Sequence, residues 1–137
     1  MNIQVDHTQG RVPVAILRLQ GDLDGSNYRD VISRAQTLYQ AGHRDLLVDL
    51  GATPYMSSSG VVALHTIALL FRGAEAPDPE TDGWRALKAV GNSAEAGKQE
   101  HVKLLNPQPR VAAVLEQVGL STFFDTFTDQ AAAVTAF

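Results

Sequence analysis

Residues Leu46-Leu47-Val48-Asp49-Leu50 form a short, continuous apolar run, the pattern of a strand covered on both faces. The loop Gly51-Ala52-Thr53-Pro54-Tyr55-Met56 follows, then Ser57-Ser58-Ser59-Gly60, then Val61 to Phe71. This last stretch is apolar at Val61, Leu64, Ala68 and Phe71, a helical spacing, and apolar on much of its remaining surface. Serine is favoured at a helix entrance because its side-chain oxygen accepts from an otherwise orphaned N–H. One oxygen suffices for a cap. Three consecutive hydroxyls exceed that need, and they stand where the helix dipole favours a negative group.

The flanking sequence reads as strands and helices in alternation. Asn2 to His7 predicts an edge strand, Thr8-Gln9-Gly10-Arg11 a turn, and Val14 to Leu19 a second strand, so that the two form a hairpin. Gly21-Asp22-Leu23-Asp24-Gly25 breaks the pattern. Ser26 is the expected N-cap of a helix over about Asn27 to Ala41, with Tyr28, Val31, Ile32, Ala35, Leu38 and Tyr39 on one face and Gly42 as its stop. His101-Val102-Lys103-Leu104-Leu105 predicts the last strand, and Val111, Val114, Leu115 and Val118 mark a helix begun at the prolines and ended by Gly119. Phe123, Phe124 and Phe127 are expected core plugs, and Asp129 can cap a final helix from Gln130 to about Ala136. Strands separated by helical crossovers predict an α/β sheet with parallel neighbours.

Between Ala74 and Glu100 the composition shifts to Pro, Asp, Glu, Gly and Ala with little periodicity. That is long for a connection in a compact domain, which makes it either disordered or functional. Trp84, Leu87 and Val90 can line one side of a short helix, either capping a core edge or serving as a partner-docking element.

Several classes of function are excluded. With 137 residues and 45% hydrophobic content, the chain predicts one soluble domain able to bury a core. A formal net charge of -4 argues against a nucleic-acid partner. No cysteine is present, so there is no disulfide, thiolate metal site or cysteine nucleophile. The start lacks a signal peptide and no apolar stretch reaches a membrane span, so a cytoplasmic protein without direct membrane insertion is expected. The four histidines are scattered without metal-ligand spacing, and neither metal nor cofactor is predicted. Gly91 to Lys98 has the wrong spacing for a phosphate-binding loop, and Met56 occupies the place where a nucleophile elbow needs glycine. His65 lies about two turns along its helix, too far to serve as a base for Ser58. An enzyme is not expected.

Four landmarks, in order, resemble one family. Gly21-Asp22-Leu23-Asp24 is similar to a Gly-Glu-Leu-Asp segment after a second strand, and Leu47-Val48-Asp49-Leu50 to a strand ending in Asp-Leu. Tyr55-Met56-Ser57-Ser58-Ser59-Gly60-Val61 is similar to a Met-Asp-Ser-Ser-Gly-Leu signature. Val114 to Leu120 with Phe124 is similar to a closing helix that ends in Gly-Leu and an aromatic residue. On these residues the chain resembles the STAS domain, found in anti-sigma factor antagonists and in the cytoplasmic tails of sulfate transporters.

The resemblance implies a single domain, residues 1–137, with a small mixed, partly parallel sheet and helices mainly on one face. It makes the 74–100 segment an insert where the family has a tight turn. It also implies a regulatory interaction module in which Ser58 is the phosphoacceptor, with Ser57, Ser59 and Gly60 as its neighbours. Its partner would be an anti-sigma factor that is a serine kinase of histidine-kinase-like fold, reset by a phosphatase. Asp22 and Asp24 become partner contacts, together with the helix face bearing Val62, Thr66 and Leu69 and flanked by His65 and Arg72; Trp84 is a further candidate. Ser57 departs from the family's Asp and supplies no charge. That departure leaves a second reading open: a non-phosphorylated STAS module bound constitutively to a membrane transport or lipid-trafficking complex.

Overall fold

The computed structural model describes residues 1–73 and 99–137. Strands β1 (Asn2–Gln9) and β2 (Pro13–Gln20) pair antiparallel, with Asn2 opposite Gln20 and Gln9 opposite Pro13. Helix α1 (Tyr28–Gln40) leads to β3 (Leu46–Ala52), and helix α2 (Ser58–Phe71) follows it. After the undescribed residues come β4 (Gln99–Leu105), α3 (Pro109–Gln117), β5 (Phe124–Phe127) and α4 (Gln130–Thr135). The five strands lie in the order β1-β2-β3-β4-β5, and every pairing beyond the hairpin is parallel. This is the mixed, partly parallel α/β sheet expected from the alternating pattern.

Period-two alternation divides the strand residues between two cores. Leu17, Leu19, Val48, Leu50, Val102 and Leu104 face one way and are covered by α1, α2 and α3. Val14, Ile16, Leu47 and Leu105 face the other way and meet Ala133 and Val134 of α4. Among the described residues, helices therefore sit mainly on one face, and α4 closes the other. Arg18 ties that helix down. Its guanidinium donates to Asp49 at 2.8 Å, to Asp6 at 2.6 Å and to the Gln130 side-chain oxygen at 2.9 Å. Asp49 also accepts from the Gly51 amide at 2.9 Å, so this strand-end carboxylate has a structural task.

α2 is buried almost all round, which explains why its sequence is apolar beyond a single stripe. At the end of α3, Gly119 takes φ 82 and the Leu120 amide donates to Leu115 O at 2.8 Å, burying Leu120 as the Gly-Leu pattern predicts. No described helix is long and apolar enough to cross a membrane.

Four expectations need correction. Ser26 does not cap α1, since the flanking residue is Asn27, which makes no side-chain cap, and the Ser26 hydroxyl turns back to Asp24. The first strand continues through Gln9 rather than turning at Thr8. Gln99 and Glu100 belong to β4, not to an insert. The Gln99 side chain is buried because its amide donates to Ala68 O at 2.6 Å and its oxygen accepts from the His101 amide at 2.7 Å. Phe124 and Phe127 are more than plugs, for they begin and end a fifth strand. Trp84 and the short helix expected around it lie outside the described residues.

Candidate functional site

The serine stretch emerges at the C-terminal end of β3, where open α/β sheets hold their loops for recognition. Its backbone is held by the loop after β2. Leu23 forms a parallel bridge with Met56: the Leu23 amide donates to Tyr55 O at 3.0 Å and the Ser57 amide donates to Leu23 O at 2.9 Å. Gly-Asp-Leu-Asp and Met-Ser-Ser-Ser-Gly, far apart in sequence, thus run side by side. Gly60 makes this contact possible. A Cβ built there would lie 2.5 Å from Met56 Cγ and 2.9 Å from Leu23 O, closer than any side chain tolerates. Gly25 faces Ser59 from the same loop, with room for a methyl group at 3.6 Å from the Ser59 hydroxyl.

Ser58 is the first residue of α2 and is exposed, while Ser59 is half-buried and Gly60 buried. Ser57 precedes the helix in an extended conformation, φ -86 and ψ 178, yet makes no side-chain cap. Its hydroxyl oxygen is shut off from solvent and finds no hydrogen-bond partner. No described side chain caps the first-turn amides of α2, and the Val61 amide donates to Ser57 O at 3.1 Å.

Of the two loop carboxylates, Asp22 is exposed and Asp24 half-buried. Ser26 donates its hydroxyl at 2.5 Å and its amide at 2.9 Å to Asp24, and these bonds hold the Asp24 carboxyl below the ordinary range, so it stays an anion. Asn27 orders the same loop by donating its amide to Asp22 O at 2.7 Å.

The structure brings Ser57, Ser58, Ser59, Gly60, Asp22 and Asp24 together, but it distributes the helix-face candidates differently. Thr66 and Leu69 are half-buried, whereas Val62 and His65 lie inside the protein. His65 is 2% exposed, its ring 6.4 Å from that of Phe123. Burial, with the Arg72 charge adding to it, pushes the imidazole down to about 4, so it is neutral near pH 7. Arg72 is exposed and lies over Phe123, 5.3 Å from its centroid. Among the described residues no cluster of His, Asp or Glu has the makings of a metal site.

The sequence profile of the STAS domain matches residues 2–75, more than half of the chain. No curated protein matches it by sequence. Among solved structures, an anti-sigma factor antagonist from Mycobacterium paratuberculosis superposes with a TM-score of 0.69 at 16% identity, covering 98% of this chain and 92% of that one. The Bacillus cell fate determinant SpoIIAA in its phosphorylated form gives 0.56 at 22% identity, covering 96% of both. Its unphosphorylated form gives 0.52 at the same identity, covering 96% of this chain and 92% of that one. At these identities the superpositions speak for the fold. Profile and fold agree, and the chain belongs to the STAS domain family.

Proposed function

We propose that this protein is a regulatory interaction module of the anti-sigma factor antagonist type, switched by phosphorylation of Ser58. The observation that carries the reading is an exposed serine as the first residue of α2, above first-turn amides that no described side chain caps. Transfer from ATP held by a partner kinase of histidine-kinase-like fold forms the Ser58 Oγ–P bond and releases ADP, the hydroxyl proton leaving to a base on the partner. The product carries about -1.5 to -2 charge. Within the domain that charge is tolerated, since the open amides and the helix dipole favour it. On a docking surface it must be stripped of water, which is costly without a matched cation. The fold persists and the complex dissociates, until a phosphatase restores the hydroxyl.

A second reading draws support from Ser57. It stands where the family has Asp, and a hydroxyl enclosed without a partner supplies no charge to a transfer reaction. On that reading the module binds constitutively to a membrane transport or lipid-trafficking complex and Ser58 stays unmodified.

Phosphosite mass spectrometry on protein from its own cells, with and without stress, separates the two. Phosphate on Ser58 that varies with condition is expected on the first reading. Binding assays should agree: Ser58→Asp loses the kinase-type anti-sigma partner and Ser58→Ala keeps it. Equal binding by both variants, with Ser58 unmodified under every condition, would overturn the switch in favour of the constitutive module.

A further inference from the structure

The edge that carries Ser58 continues onto the loop between β4 and α3 and ends in a pair of side chains that the fold does not require. Tyr55 is 38% exposed, unusual for a large ring among the described residues, and the Arg110 guanidinium lies over it, 5.2 Å from its centroid. Arg110 is itself exposed and makes no ion pair with any described residue. It follows Pro109 in the first turn of α3, where the positive end of the helix dipole disfavours a cation. The residue before the helix does not compensate. Gln108 makes no cap, because its amide donates instead to Gly51 O at 2.9 Å and locks this loop against the end of β3. An arginine that opposes the dipole, meets no described carboxylate and has only a solvent-exposed cation–π contact in return breaks a local rule for little gain inside the molecule. Such a placement points to function.

Strand order supplies the rest of the argument. Because β2, β3 and β4 are consecutive neighbours, their loops stand in a row along one edge. Asp22 and Asp24 lie over β2, Ser58 follows β3, and Arg110 follows β4. The Leu23–Met56 bridge joins the first two loops, and the Gln108–Gly51 bond joins the third. The edge therefore runs from acid through hydroxyl to base, with an aromatic ring beneath the base.

We infer that Tyr55 and Arg110 form the second half of the docking surface, on which the regulatory partner that reads Ser58 sets a carboxylate against Arg110 and an apolar depression against Tyr55. The inference rests on the function proposed above and names the chemistry of its partner. Tyrosine and arginine are the residue types that concentrate binding energy at protein interfaces. A surface with opposite charges at its two ends also fixes orientation, for a partner turned end to end would meet like charges at both. The partner face then carries a basic group towards Asp22 and Asp24 and an acidic group towards Arg110.

The test is calorimetric titration of the full-length chain with a purified anti-sigma factor of histidine-kinase-like fold from the same genome. Arg110→Glu should weaken binding at least about tenfold, Tyr55→Ala by a similar factor, and Arg110→Lys by less. Arg110→Glu also places an acid in the first turn of α3, so its melting temperature should stay level or rise, and lost binding will not reflect unfolding. Glu116→Lys, an exposed change at the other end of α3, is the control and should bind as the wild type. If Ser58→Asp abolishes binding while Arg110→Glu and Tyr55→Ala bind as the wild type, this inference is overturned and the switch stands. If the wild type fails to bind any such anti-sigma factor, the functional reading falls and takes the inference with it.

Discussion

Helices α2 and α4 both start after a residue with a capping oxygen, and they use it in opposite ways. At α4, Asp129 is extended and its carboxylate accepts from the Ala132 amide at 3.0 Å, a cap made for stability. At α2, Ser57 is also extended, but its hydroxyl caps nothing and is enclosed without a partner. The difference lies in what else holds each entrance. α4 begins in a turn ordered by side chains, the Asp129 cap and the Arg18–Gln130 bond, whereas the backbone before α2 is clamped to the loop after β2 through the Leu23–Met56 bridge. Once the backbone is fixed by the sheet edge, the serine side chains are released from structural duty. A helix start that needs no cap is free to present Ser58.

The body of α2 offers the largest effect by which this contrast can be sharpened. His65 is buried and neutral, with a pKa of about 4 against about 6.5 in the unfolded chain. A depressed base makes the unfolded state the better proton acceptor between these values. Stability should therefore hold above about pH 6.5 and fall as pH drops towards 4, the loss approaching about 3 kcal/mol. Urea denaturation across that window measures it, and His65→Leu should flatten the slope between pH 6.5 and 5. An unchanged slope in the variant would remove His65 as the cause.

Next in size is the third position of each helix. Gly60 is pressed against Met56 and Leu23, so Gly60→Ala should cost about 1–3 kcal/mol and loosen the bridge between the two loops. The corresponding Ala132 of α4 is exposed, and Ala132→Ser should stay within about 0.5 kcal/mol. Equal sensitivity at both positions in chemical denaturation would mean that the α2 entrance is not clamped.

The caps themselves should differ by a smaller margin. Asp129→Ala should lose about 1 kcal/mol. Ser57→Ala removes an enclosed hydroxyl that has no partner, and should be neutral or stabilising by up to about 1 kcal/mol. A loss from Ser57→Ala matching that from Asp129→Ala would show that the serine caps α2 in solution.

The smallest effect is expected at Ser58. An acid there meets the helix dipole without a competing cap, and Ser58→Asp should raise thermal stability by about 0.3–1 kcal/mol. A destabilised variant would contradict the view that α2 stands ready for a negative group.

Much of this protein was legible from periodicity and punctuation alone. The apolar run Leu46–Leu50 and the helical spacing after Gly60 are patterns read within one stretch of chain, and the Gly119-Leu120 stop and the Asp129 cap are satisfied by neighbours within a few residues. The order of short motifs carried the family resemblance for the same reason. Other features depended on partners distant in the chain. Whether Ser57 would cap depended on the Leu23 bridge, while Ser26 was drawn off by the nearby Asp24 carboxylate, a competitor that a capping pattern does not show. Phe124–Phe127 became a strand because β4 offered it an open edge, and His65 turned inward because Phe123 packs beside it. The row of Asp24, Ser58 and Arg110 exists only through strand order, which joins three loops that the sequence separates. Local chemistry set the kind and order of most elements; long-range pairing decided where several of them end and which side chains they left free.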